Sequence, residues 1–290
     1  MRVLARAPDH LGDGVMALPA LESLNGLESL LICGPPWTRE LYRHLPAELL
    51  DREQLSEVQA DLAVLFKPSL SAAWAVRRVP RRSGLDTDHR RWLLSVAVPE
   101  RGPHRVDDLA AVARAAGADP QGLPRFPTSE ADLDGLPPLP SNPVLLLPGT
   151  ASPLTVRWRG FRAMADILGD RAVFAGGPAD GPCIDELCGP HRRLPPLTLG
   201  QLGALAVRAA AVVGNDSGLP HLAAAARRAA GEDPGRVHVV YGSTDPARTG
   251  PPGSTPHPGP RPDCWPCYRK RCDIGTPCLE LDAAAVAAHL

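Results

Sequence analysis

Val213-Gly214-Asn215-Asp216-Ser217-Gly218-Leu219-Pro220-His221-Leu222-Ala223-Ala224-Ala225 reads as a buried strand that runs through Asp-Ser-Gly into an alanine-rich helix. That strand–turn–helix unit is the building block of a parallel α/β fold. Pro220 suits the first turn of a helix, where a missing N–H costs nothing. The amides of Ser217, Gly218 and Leu219 then face outward at a helix start, a place suited to a diphosphate. Asp216 is positioned to accept hydrogen bonds from sugar hydroxyls, and His221 to reach a phosphate. A blander reading makes Asp216 an N-cap and His221 a satisfied surface imidazole. Spacing alone does not choose between them.

The same rhythm extends in both directions. Met1–Ala7, Leu30–Cys33 and Leu62–Phe66 read as strands, and Val15–Leu24, Ser69–Val79 and Val106–Ala116 as helices. After Ala118 seven prolines (120, 124, 127, 137, 138, 140 and 143) interrupt the pattern as far as Pro143, which marks an interdomain linker. Alternation then resumes. The expected strands are Val144–Leu147, Ala172–Phe174, Ala211–Val213 and Val237–Tyr241; the expected helices are Phe161–Leu168, Leu199–Ala209, Pro220–Ala226 and Asp282–Leu290. The expected fold is therefore α/β, two Rossmann-like parallel-sheet domains spanning 1–130 and 131–290. Such domains place ligands at the carboxyl ends of their strands, here in a cleft between the two halves.

Composition narrows the function. With 290 residues, 44% of them apolar, the chain can fill two cores. Its formal net charge of −1 gives no global attraction for nucleic acid, so an anionic ligand must be held by local basic groups. No signal-peptide stretch and no apolar run of membrane-spanning length are present, and the protein is expected in the cytoplasm. Seven cysteines without an export signal argue against a disulfide framework. Four of them, Cys264-x2-Cys267-x4-Cys272-x5-Cys278, have a first pair with zinc-knuckle spacing. A structural zinc site and a reduced, metal-free cluster are both open readings.

Other strand-end loops carry candidate groups. Thr150 and Ser152 follow the Leu145-Leu146-Leu147 strand and offer hydroxyls, and Arg157 could pair with a phosphate, although an ordinary βα loop reads the same way. Gly176 and Gly177 form a glycine turn after the next strand. Near the N-terminus, Gly12-Asp13-Gly14 sits in a turn after the first strand, where Asp13 serves either as a general base or as a helix cap. A basic cluster spans Lys67, Arg77, Arg78, Arg81, Arg82, Arg90 and Arg91, interleaved with Asp86 and Asp88. It suits a phosphorylated acceptor or anionic lipid head groups, or is simply a solvated charged face.

In order along the chain, these pieces resemble glycosyltransferase family 9, the lipopolysaccharide heptosyltransferases. The resemblance runs from Arg2-Val3-Leu4 through Gly12-Asp13 to Leu18-Pro19-Ala20-Leu21, then Asp61-Leu62, Ser69–Ala72 and Arg82-Ser83-Gly84. It continues through Pro148-Gly149-Thr150-Ala151-Ser152, Gly176-Gly177-Pro178, Asp216–Ala225 and Gly242–Pro246. The four-cysteine tail resembles that of some members.

The resemblance implies a GT-B glycosyltransferase that inverts the anomeric centre and needs no metal or other cofactor. Asp13 falls where the family's proposed catalytic aspartate falls, which turns its reading from cap to base. The resemblance puts the nucleotide-diphospho-sugar donor, such as ADP-heptose, on the C-terminal domain. There Thr150, Ser152, Arg157, Gly176, Gly177, Asp216, Ser217, Gly218 and His221 would bind it. It puts a lipopolysaccharide-core or other glycan acceptor on the N-terminal domain near Lys67, Arg81 and Arg82. The enzyme would then work free in the cytoplasm or at the inner face of the cytoplasmic membrane. Where the family usually carries a lysine two residues before its tryptophan, this sequence has Val156, with Arg157 one residue on. That departure keeps two alternatives in view: a sugar-nucleotide-binding protein without turnover, and a nucleotide-sugar epimerase of the same architecture.

Overall fold

In the computed structural model, residues 1–27, 29–150 and 157–290 are described. They form two compact units, Met1–Arg125 and Phe126–Leu290. Each is built on a six-stranded parallel sheet.

In the first unit the strands are β1 (Arg2–Arg6), β2 (Ser29–Cys33), β3 (Ala47–Leu50), β4 (Leu62–Leu65), β5 (Arg81–Leu85) and β6 (Val96–Val98), in the order β3-β2-β1-β4-β5-β6. The helices are α1 (Leu11–Met16), α2 (Leu18–Leu24), α3 (Thr38–Leu41), α4 (Leu70–Ala75) and α5 (Arg105–Ala115). The central strand carries a run of apolar residues because both its faces are covered: Val3, Leu4 and Ala5 are wholly buried. Leu4 lies between Leu31 of β2 and Ala63 of β4.

The second unit repeats this arrangement. Its strands are β7 (Val144–Leu147), β8 (Ala172–Phe174), β9 (Arg192–Arg193), β10 (Ala211–Asn215), β11 (Val237–Tyr241) and β12 (Thr255–Pro258). They are ordered β12-β11-β10-β7-β8-β9. Its helices are α6 (Phe161–Leu168), α7 (Gly181–Cys188), α8 (Leu199–Arg208), α9 (Gly218–Ala230), α10 (Pro246–Thr249) and α11 (Ala283–Ala287). In both sheets the strand order reverses beside the first strand of the unit. At that point the connections leave in opposite directions and open a crevice at the carboxyl ends. The switch lies between β1 and β4 in one unit and between β7 and β10 in the other.

Three local readings change. The residues expected as a Leu11–Gly14 turn and a Val15–Leu24 helix are two short helices, because Pro19 cannot donate the hydrogen bond that would carry one helix through. Second, the proline-rich 118–143 stretch is anchored at points along its length, with Pro120, Pro124, Phe126 and Pro143 buried. The first unit ends at Arg125, against 130 from the sequence. Phe126 is buried and donates its N–H to Ala225 O at 3.0 Å, so it belongs with the second unit. Third, the Pro- and Gly-rich stretch 246–262 contains α10 and the edge strand β12. None of the helices among the described residues is long and apolar enough to cross a membrane.

Candidate active site

At the switch point of the N-terminal unit, β1 delivers Asp9, His10 and then α1. Asp9 accepts hydrogen bonds from Arg6 at 2.7 Å, from Arg52 at 2.9 Å and from Lys67. Burial works to raise its pKa, but the Lys67 and Arg6 hydrogen bonds and their charges outweigh that and hold the carboxyl below its usual range. Three cations on one carboxylate leave an excess of positive charge beside the β1–β4 switch. Lys67 reaches it because β4 ends two residues earlier, at Leu65.

Asp13 lies in the first turn of α1, where the N-cap residue is His10, so it is not the cap of that helix. Its carboxylate instead accepts a 3.3 Å hydrogen bond from Nε of Arg105. Arg105, the first residue of α5, is nearly buried, and its Nη1 donates to Glu100 at 3.1 Å. Asp13 itself is about a quarter exposed, at 28%. A held carboxylate with an open face is the form a general base needs. Gly14 lets α1 approach the Trp37 ring, since a Cβ there would collide with it. Tyr42 then pins the helix by donating from its hydroxyl to Gly14 O at 3.1 Å.

The remaining members of the basic cluster separate. Arg90 is wholly buried and braces two strand-end loops, donating to Leu85 O at 3.0 Å and to Lys67 O at 2.7 Å. Burial lowers its pKa to about 10. Arg81 and Arg82 begin β5, so they stand at the amino edge of the sheet, opposite the end that carries Asp13 and Lys67. Arg82 is committed to backbone carbonyls, among them Leu93 O at 2.5 Å and Val79 O. The acceptor role expected of that pair does not coincide with the switch point; Lys67 is the cluster member that does.

In the C-terminal unit the β7–β10 switch is tied by Asn215. This wholly buried residue donates from Nδ2 to Pro148 O at 2.8 Å and accepts from Trp158 N–H at 2.9 Å. It thereby holds Pro148, two residues before Thr150, together with Trp158, one residue after Arg157. Ser152 and Val156 lie outside the described residues. Gly149 and Gly176 converge on Asp180, and a methyl group at either position would collide with its carboxylate. Asp180 accepts the Gly177 N–H at 2.8 Å, and burial raises its pKa.

Ser217 is the N-cap residue of α9 and Gly218 its first member, which puts Pro220 third. Asp216 is therefore not the cap. Its carboxylate accepts from the Thr244 hydroxyl at 2.5 Å, and its N–H donates to Val240 O at 3.1 Å. His221 is 5% exposed, so it is not a surface imidazole. Two buried polar atoms, Ser217 Oγ and Arg157 Nε, have no hydrogen-bond partner among the described residues. Buried donors are ordinarily satisfied, and orphans at a strand-end crevice mark where a polar ligand supplies the missing partner.

The cysteine segment supports this region from behind. Cys267 and Tyr268 donate their N–H groups to Ser243 O at 3.1 Å, and Trp265 Nε1 donates to Gly242 O at 3.0 Å. These bonds hold the turn that carries Thr244. No three His, Cys, Asp or Glu side chains among the described residues are disposed to hold a metal ion, so the zinc reading is not supported. Cys278 is buried beside the core residue Leu279, while Cys264 is exposed. Burial and the neighbouring cysteines push the Cys278 thiol up.

Arg105, Asp9, Asn215, Asp180 and Thr244 were not singled out from the sequence. The signal for Asn215 was at hand, because a polar residue closing an otherwise apolar strand must find partners.

A model of glycosyltransferase family 9 (heptosyltransferase) matches residues 51–272. The chain belongs to that family. It is a heptosyltransferase-like glycosyltransferase, and its two Rossmann-like domains are those of the GT-B class. Comparison with curated proteins finds no match. Among solved structures it is similar to E. coli ADP-heptose lipopolysaccharide heptosyltransferase II, with 22% identity, TM-score 0.76, and 100% of this chain and 97% of that one covered. It is also similar to E. coli heptosyltransferase WaaC with ADP, at 18% identity, TM-score 0.73, and 99% and 98% coverage. The same enzyme with ADP-2-deoxy-2-fluoro heptose matches at 20% identity and TM-score 0.69, covering 90% and 94%. At these identities the likeness is one of fold.

Proposed function

We propose that this family 9 glycosyltransferase moves a heptose from ADP-heptose, or a closely related nucleotide-diphospho-sugar, to a hydroxyl of an anionic glycan acceptor, with inversion. Orphaned buried polar atoms at the C-terminal switch carry the donor half of this reading. Ser217 Oγ and Arg157 Nε would find their partners on the diphosphate, together with the first amides of α9. Asp216, His221, Thr150 and the Gly176-Gly177 turn line the same strand ends. Arg157 would take the charge-neutralising role at the position following Val156. WaaC, similar in fold, was solved with ADP and with a fluorinated ADP-heptose, which supports the choice of donor.

The acceptor half rests on Asp13 and Lys67. Acceptor oxygen attacks the anomeric carbon, the new C–O bond forms as the bond to the diphosphate oxygen breaks, and the hydroxyl proton passes to the Asp13 carboxylate. The leaving nucleoside diphosphate keeps the bonding pair, and its charge is met by the α9 amides, Arg157 and His221. No metal ion takes part. Lys67, with Arg6 and Arg52, offers an anionic acceptor more positive charge than Asp9 neutralises.

Asp13→Ala is the decisive variant. Transfer from ADP-heptose should fall on the order of a thousandfold, the scale of a lost general base. Calorimetric binding of ADP should remain as in the wild type. Unchanged turnover would remove Asp13 from the mechanism.

A further inference from the structure

Large apolar side chains rarely stand exposed in groups. On the N-terminal unit, Leu70 and Trp74 share one face of α4, four residues apart, and are 39% and 51% exposed. Trp92, at 68%, meets Trp74 edge-on with ring centroids 6.2 Å apart. The result is a protruding indole pair that no other apolar side chain covers well enough to bury.

Its surroundings are cationic. The Arg77 guanidinium lies 4.7 Å from the centroid of the Trp74 ring, and Arg78, Arg81 and Arg91 are exposed. Between Leu70 and Trp92 the sequence has six arginines against two aspartates. Asp86 is paired with Arg91, and Asp88 accepts the Leu70 N–H at 2.5 Å. Arg77, Arg78 and Arg81 form no ion pair among the described residues. Nothing in the proposed chemistry uses these side chains.

We propose that this patch docks the enzyme onto an anionic lipid bilayer. Trp74, Trp92 and Leu70 enter the boundary between headgroups and acyl chains, where indole rings are most favourably placed. Arg77, Arg78 and Arg81 meet the lipid phosphates around them. Charge complementarity selects this occupant: the arginines of this stretch outnumber its two carboxylates and leave the patch net positive, and an anionic leaflet presents the opposite charge over its whole area. Leu70 follows Lys67 by three residues, so the docking face adjoins the loop assigned to the acceptor. The proposal does not depend on which sugar is moved.

The test is co-sedimentation of the full chain with vesicles of phosphatidylcholine alone and of phosphatidylcholine with phosphatidylglycerol. Binding should require the anionic lipid and weaken as salt is raised. Arg77→Gln with Arg78→Gln should lower the partition coefficient on the order of thirtyfold, from the contribution of two basic side chains at such a surface. Trp74→Ala with Trp92→Ala should lower it by about tenfold or more. Brominated acyl chains should quench the wild-type tryptophan emission and leave that of the double tryptophan variant unchanged. The exposed positions of all four residues mean the variants should keep the wild-type circular dichroism. Absence of binding to anionic vesicles at low salt would overturn the proposal, as would equal binding by the tryptophan variant. A concentration-dependent dimer that the tryptophan variant abolishes, without lipid binding, would assign the patch to contact between copies instead.

Discussion

Arg105 shows how a single residue decides what a carboxylate can do. Asp13 alone at the start of a short helix would rotate freely; Nε of Arg105 holds one of its oxygens, while Glu100 holds Arg105. In the proposed mechanism the second oxygen takes the acceptor proton, and Arg105 is then a positioning residue, acting through Asp13. Arg105→Ala should lower kcat on the order of a hundredfold, since misplacing a base by about 1 Å costs that much. The KM for donor should stay near its wild-type value, and Arg105→Lys should recover part of the loss. A kcat unchanged in Arg105→Ala would show that Asp13 is held by other means.

At the scale of elements, each switch point is a strand end that must be tied to its neighbour. Asn215 performs this in the C-terminal unit by joining Pro148, past β7, to Trp158, just before α6. Removing the amide leaves the buried Trp158 N–H unpaired and the Pro148 carbonyl with only the weak Cys183 thiol donor at 3.5 Å. Asn215→Ala should therefore destabilise the fold by about 2 kcal/mol, from one buried group that loses its partner at roughly 1–3 kcal/mol and a second that keeps a weaker one. Urea unfolding would measure it. A loss below about 1 kcal/mol would mean that water replaces the amide and that the loop needs no such tie. Arg90 has the corresponding place in the N-terminal unit, where it joins the loops after β4 and β5 through Lys67 O and Leu85 O.

At the scale of the whole molecule, acid should act first through buried imidazoles. His238 and His257 sit 2.9 Å apart, Nδ1 to Nε2, on adjacent strands β11 and β12, and His289 from the C-terminal helical segment packs on His257. Burial lowers the pKa of both buried rings to about 4; His257 and His289 add to the effect on His238, as does Arg236, with Asp233 opposing. The unfolded chain takes up these protons near 6.5. Stability from the pair is thus complete above pH 6.5 and is lost as pH falls from there toward 4, by about 3 kcal/mol for each ring. Asp9 loses its contribution only at lower pH, below the ordinary aspartate value near 3.9. The urea midpoint of the wild type should drop between pH 7 and pH 4.5, and His257→Asn should flatten that drop. An equal slope in the variant would place the acid sensitivity elsewhere.

The sequence by itself determined the alternation of elements and the family. Buried central strands are largely apolar, so β7, β8 and β11, the last interrupted by His238, were legible to the residue. Edge strands carry no such demand. β9 is Arg192-Arg193 and β12 contains two prolines, and the interior strand β5 opens on Arg81-Arg82; none has an apolar run to announce it. The strand-end motifs around Asp13, Gly176 and Asp216 were readable because backbone turns and helix starts constrain short stretches of chain. Only the tertiary structure decided what those residues touch. It gave Asp13 to Arg105 across 92 positions, tied Asn215 to Pro148 across 67, and sent Arg81 and Arg82 to the far edge of the sheet. A pattern along the chain records burial and local geometry, whereas a hydrogen bond between distant loops depends on where the sheet brings their ends together.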